Sequence, residues 1–284
     1  MKIQNNYTGL NFQRGLTKHI RNEINSCDTH KIADYLTKEK GIKADFKGNK
    51  LIAWCALKSV LIIEELNRCY NTRFTLPYAV YVEDFEKFNV DSNGTFGFLN
   101  FLTNNHTYKD GSLAMADTIY YNNFKNIDVN SPNGLWDKID EIMDSQYENK
   151  MATTDFFLEP IFHEFVHAMH EGNLVKKLGL KGMFNFVKTQ YLKENIAKFQ
   201  CNHSYLLTEI SDYATETPME SVACDFSKRA ITNIDEKTLL PKINFIASSP
   251  YQRQGFMDRF LSKPLNKTDE LLKSIWNGRY RTKS

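Results

Sequence analysis

The chain has 284 residues, with 42% hydrophobic, 13% aromatic and 25% charged residues and a formal net charge of +2. That is ordinary globular composition, long enough to bury a sizeable core, and it lacks the clustered basic excess of a nucleic-acid footprint. Five cysteines (Cys27, Cys55, Cys69, Cys201, Cys224), an odd count with no C-x-x-C, suggest neither a disulfide framework nor a cysteine-based zinc site.

Residues 1–15 are polar and rich in Asn and Gln, with no apolar signal-peptide core. No stretch approaches 18 uninterrupted apolar residues, so no membrane span is expected. The default is a soluble, cytoplasmic protein, with secretion independent of a signal left open. Leu16 to Lys40 carries helix-like patterns around a break at Cys27-Asp28. Leu51–Tyr70 is apolar around most of its circumference and reads as a central buried helix, stopping at Asn71. Strand signals follow at Tyr78–Val82, Thr95–Leu102 after an Asn93-Gly94 turn, Leu113–Ala116 and Thr118–Tyr121. Ser131-Pro132-Asn133-Gly134 is a loop, and Leu135–Tyr147 has helical spacing.

The next stretch, Pro160 to Gly172, contains His163-Glu164-Phe165-Val166-His167, an H-E-x-x-H pattern. On a helix its two histidines lie about 40° apart and project from one face. Paired neutral imidazoles suit Zn²⁺, and Glu164 is placed to take a proton from an attacking water. Ile161, Phe162, Phe165, Val166, Ala168 and Met169 make the rest of this helix apolar, so its polar groups need partners. The structural alternative is a pair of satisfied core histidines beside a surface glutamate. The helix should end near Gly172-Asn173. Met183–Phe199 reads as one amphipathic helix with Tyr191 on its apolar face, and Pro218–Ala230 as another. Leu240-Pro241 breaks the chain, and residues 250–277 hold one or two closing helices.

A catalytic zinc wants three protein ligands. His170 shares the helix face of the first pair but lies in a row with them, where it cannot easily close a tetrahedron. A carboxylate from a second helix can approach from the side. Glu220, in the first turn of a helix docked by Met219, Val222, Ala223 and Phe226, is the preferred third ligand, and Glu216 the fallback. Complementarity to the helix dipole is the alternative role for Glu220.

These residues resemble those of the zincin metallopeptidases, specifically the gluzincin type, in which H-E-x-x-H is completed by a glutamate on a downstream helix. Pro218-Met219-Glu220-Ser221-Val222-Ala223-Cys224-Asp225-Phe226 is similar to the glutamate segment of small gluzincins, and the likeness runs from about Leu51 to Ala230. It implies that His163, His167 and Glu220 bind Zn²⁺ and that Glu164 is the general base of a metalloprotease, a hydrolase acting on a peptide or protein substrate. The extended metzincin motif is absent, since His170 and Asn173 stand where its Gly and last His would be. Cys224 replaces the Asp found four residues after the ligand Glu in thermolysin-like enzymes, and Asp225 is one position late, so the group that orients His163 is unassigned. Tyr205, Tyr213, Tyr251, His203 and His170 are candidates for an oxyanion donor, and Leu113–Ala116 is a candidate strand for pairing with an extended peptide.

The expected architecture is α+β and zincin-like, with N-terminal helices, a small mixed sheet, an active-site helix and a mainly helical C-terminal half. Residues 1–50 form an N-terminal extension with short helices. Residues 51–172 hold the buried helix, the sheet and the H-E-x-x-H helix, and residues 173–284 a helical subdomain carrying the third ligand. The rival reading is a catalytically silent zincin-fold module that binds a protein or peptide partner. Oligomeric state is not legible.

Overall fold

The computed structural model describes residues 15–70, 72–90, 95–102, 106–123, 143–154, 156–232, 251 and 266–281. The expected features at residues 1–14, Asn71, Asn93-Gly94, residues 131–134 and Leu240-Pro241, and most of the helix expected over 135–147, lie outside these; residues 143–148 are helical. The architecture is α+β.

Helices α1 (Gly15–Ser26) and α2 (Thr29–Lys40) flank the expected break at Cys27-Asp28. Asp28 causes it: its backbone is extended, and its carboxylate accepts from the N–H groups of His30 and Lys31, as an N-cap does. Helix α3 (Lys50–Tyr70) is central and apolar nearly all round, with Ile52, Ala53, Cys55, Ala56, Val60, Ile62, Ile63 and Leu66 fully buried.

Four strands form one sheet: β1 (Lys43–Asp45), β2 (Ala79–Glu83), β3 (Gly97–Asn100) and β4 (Thr118–Asn122), in the order β1-β2-β4-β3. The pairs β1–β2 and β2–β4 are parallel, and β3 runs antiparallel to β4 along one edge. Alternation separates two faces. Val80, Val82, Leu99, Ile119 and Tyr121 join the main core, whereas Tyr81, Phe98 and Tyr120 meet Phe85, Phe88, Tyr108 and Ala114 in a second, mainly aromatic cluster. Leu113–Ala116, expected to be a strand, makes only an isolated bridge, Thr107 to Leu113. The buried Asn100 amide donates to Ala114 O and Met115 O and so holds this segment as a loop.

The H-E-x-x-H segment lies in α4 (Leu158–Gln190), packed on the sheet, where the Tyr121 hydroxyl donates to Ile161 O at 2.7 Å. This helix does not end at Gly172-Asn173 as expected. Gly172 stays helical, and a side chain there would collide with Thr75, whose hydroxyl donates to Ala168 O. The non-helical glycine is Gly179, at φ 70°, ψ 168°, which kinks α4. The single helix expected over Met183–Phe199 is also divided. The chain leaves the helix at Tyr191-Leu192 and re-enters it as α5 (Lys193–Leu207). Both halves bury apolar residues, Met183, Phe186 and Val187 before the break and Phe199 after it, so periodicity does not betray it.

Helices α6 (Pro218–Thr232) and α7 (Lys267–Trp276) complete the described chain. One buried cluster takes in residues from Ile20 to Tyr280. Among the described residues no helix is long and apolar enough to cross a membrane. The end of α7 is tied to α4 by two side chains: His170 Nε2 donates to Ile275 O at 3.2 Å, and Asn173 Nδ2 to Trp276 O at 2.6 Å. The His170 ring also stacks on Trp276, 5.0 Å between centroids.

Burial holds His170 neutral and pushes its pKa down to about 3 from 6.5. Between those values the unfolded chain binds a proton there and the folded chain does not. The stability this residue contributes is therefore complete above pH 6.5 and is lost as the pH falls towards 3. His170→Phe keeps a ring on Trp276 and removes the hydrogen bond. The variant should lose about 1 kcal/mol at pH 7, with a shallower fall of Tm on the acid side than the parent. An acid limb identical to the parent's would show that His170 is not buried in its neutral form.

Candidate metal centre

Helix α4 presents His163 and His167 one turn apart, and the first turn of α6 presents Glu220 across from them. Thr217 starts α6 by accepting the Glu220 N–H on its hydroxyl, and Met219, Val222, Ala223 and Phe226 bury the helix against the core. Glu220 Oε2 lies 3.0 Å from His163 Nε2 and 3.2 Å from His167 Nε2, and the two Nε2 atoms are 3.0 Å apart. Both imidazoles are buried, and the Glu220 side chain is 12% exposed.

These three residues form a group that could hold a metal ion. Their spacing fits one. Donor atoms bonded at about 2.0–2.2 Å to one tetrahedral metal lie about 3.3–3.5 Å from one another, only a few tenths of an ångström beyond the spacing here. Two nitrogen lone pairs and a carboxylate oxygen converging on one buried point need a cation or a proton there. The electrostatics agree. Burial alone would raise the Glu220 carboxyl, but the two imidazoles outweigh it and hold Glu220 well below the usual carboxylate range. Burial likewise opposes a proton on His163, and Cys224 and Glu220 overcome it, holding His163 above its usual value. A metal entering here has to displace that proton.

Glu164 is half-buried beside His163 and His167, and its Oε2 accepts from Leu99 N–H of β3 at 2.8 Å. Burial pushes its carboxyl up, with His167 and His163 opposing. Cys224 occupies the place facing the first histidine, for which the sequence suggested no partner. It is one helical turn beyond Glu220, and its Sγ lies 4.0 Å from His163 Nδ1. Among the described residues His167 Nδ1 has no partner. Asp225 faces elsewhere, pairing with Arg229 Nε and accepting from the Tyr251 hydroxyl, each at 2.7 Å.

His170 is turned to α7 and lies outside the metal group, as does Glu216. The oxyanion candidates separate clearly. Tyr205 is 68% exposed on α5, Tyr251 is engaged by Asp225, and His203 packs between the rings of Phe199 and Tyr280. Tyr213 alone among them adjoins the centre, its ring 5.9 Å from that of His163. Glu220 and then burial push its phenol far above the usual range. Tyr191, absent from those candidates, is 39% exposed, with its ring 6.4 Å from that of Phe101; burial of its hydroxyl end and then Glu220 and Glu164 raise its phenol. The helical pattern placed Tyr191 on the apolar face of an unbroken helix; in the structure it stands at the break at residues 191–192. The strand edge beside the centre is β3, not Leu113–Ala116.

The dialysed protein should hold about one divalent metal per chain, measured by elemental analysis. Glu220→Ala should weaken binding by more than about a hundredfold and Cys224→Ala by about tenfold, as loss of a ligand and of its outer partner do. His170→Ala should retain the metal. Less than about a tenth of an equivalent, with no uptake on adding zinc, would remove the metal reading.

No protein-family model, curated protein or solved structure matches this chain, so what it does has to be read from this geometry.

Proposed function

We propose that the protein is a zinc-dependent metallopeptidase of gluzincin type, with His163, His167 and Glu220 as ligands and Glu164 as general base. The observation that carries this reading is the convergence of the three donor atoms beside a half-buried carboxylate one residue from His163. Two nitrogens and one oxygen leave a tetrahedral position open, as hydrolytic zinc sites do. Zinc held there supplies Lewis-acid chemistry, polarising a carbonyl and making water acidic near neutral pH.

The chain's own groups then divide the work. Leu99 N–H holds one oxygen of Glu164, leaving the other to take the proton of the attacking water and return it to the leaving amine. Tyr213 and Tyr191 have phenols pushed above their usual range, so both keep the proton needed to donate to an oxyanion. An extended peptide suits the adjoining strand. Phe96 O accepts from Asn122 N on β4, so by alternation Gly97 and Leu99 turn their backbone groups to the other edge, where Glu164 takes the Leu99 N–H and the Gly97 groups and Leu99 carbonyl face a peptide.

Glu164→Gln should keep the fold and the metal but lower turnover by about 10²–10⁴-fold. The measurement is digestion of a peptide library by zinc-loaded parent and variant, with and without chelator. If the parent, fully loaded, cuts nothing in a broad library, the silent peptide-binding module takes the place of the enzyme.

A further inference from the structure

Glu171 takes no part in the chemistry above, yet it lies buried on the same helix. Both its oxygens face the Leu102 N–H, at 3.1 and 3.4 Å. Seven residues earlier, Glu164 accepts from Leu99 N–H. Seven residues advance a helix by about 10.5 Å and return to within about 20° of the same face. Three residues advance a strand by about 10 Å. The two carboxyl groups are therefore spaced like the two N–H groups, and β3 runs along α4 in the same direction. In an unbroken strand residues 99 and 102 would donate to opposite edges. Leu102 N–H reaches α4 because β3 stops at Asn100 and the chain turns at Leu102.

We propose that Glu171 is a positioning residue for the metal centre: it anchors the end of β3 on α4, so that Leu99 N–H is delivered to Glu164 and the open strand edge is held beside the ligands. The part that concerns turnover rests on the peptidase reading; the clamp itself does not. β3 is an edge strand of four residues with β4 on one side only, so its second side depends on the helix. Burial pushes the Glu171 carboxyl up to about 8, against the Leu102 hydrogen bond, with Asp117 adding to the rise. Near neutral pH it is largely the uncharged acid, for which glutamine is a close isostere.

The test compares zinc-loaded parent, Glu171→Gln and Glu171→Ala. Amide exchange at Leu99 and Leu102 is read without substrate. Glu171→Ala should speed both by about tenfold or more, and Glu171→Gln by less than about threefold, the difference one buried acceptor makes. Zinc content should match the parent in both. With a cleaved reporter peptide, Glu171→Ala should lower kcat by about tenfold and Glu171→Gln should restore it, given the sensitivity of turnover to the placing of a base. If Glu171→Ala does not fold, Glu171→Met keeps the length without the acceptor and serves in its place. Faster exchange at Leu102 with Leu99 at the parent's rate overturns the proposal, as does Glu171→Gln behaving like the alanine variant. A parent that cleaves nothing sinks the peptidase reading alone, and the exchange rates still decide the clamp.

Discussion

A helix must find a partner for every ionisable group that it buries, and the architecture follows from how α4 meets that demand. An unpaired charge in such a place costs several kcal/mol, so each group is either neutral or answered by another element. His163 and His167 are answered by Glu220 on α6, Glu164 and Glu171 by backbone N–H groups of the β3 segment, and His170 with Asn173 by the last carbonyls of α7. Angle and height on the helix sort them. Glu164 and Glu171 share a stripe about 80–100° from His163, and the sheet lies there. His170 returns to within about 20° of His163 but about 10.5 Å further along, beyond the reach of α6 and level with the end of α7.

Backbone packing decides whether those partners arrive. Gly172 lets the segment carrying Thr75 cross α4 closely without interrupting it, and the bend is deferred to Gly179, past the last tie to α7. The kink lets the second half of α4 turn away, and the helix breaks at Tyr191-Leu192, where the Tyr191 ring lies 6.4 Å from that of Phe101. The second core beneath the sheet matters for a related reason. Phe85, Phe88, His106 and Tyr120 surround Phe98, so the strand that touches Glu164 is held from its far face as well.

What could be read from the sequence was what local spacing encodes. The two histidines four apart are a property of any helix, and Glu220, though 53 residues from His167, was legible because its neighbours require that its helix dock. The buried α3, the break at Asp28 and three of the four strands follow from periodicity and capping, whereas β1 is too short to show a period. What escaped was set by distant partners. A glycine that stops a helix looks the same in sequence as one that admits a neighbour, hence the misplaced end at Gly172. A tyrosine on an apolar face looks the same whether or not the helix breaks beside it. Cys224 reads as a core thiol until His163 is placed against it, and no sequence rule assigns a backbone N–H to Glu171.

The centre also shows how protons stand in for a cation. Glu220 is held below its usual pKa and His163 above its own, each against its own burial, Glu220 by the two imidazoles and His163 by Cys224 and Glu220. A divalent ion at the same point satisfies all three donor atoms at once, which a single proton cannot do for atoms about 3 Å apart. Folding and metal uptake would then be one linked equilibrium: the helices α4 and α6 bring the donors together, and an ion entering there would move them only a few tenths of an ångström apart. Cys224 enters that linkage from behind His163. A thiol 4.0 Å away is a weaker acceptor than a carboxylate, so it directs the imidazole less firmly than a carboxylate would.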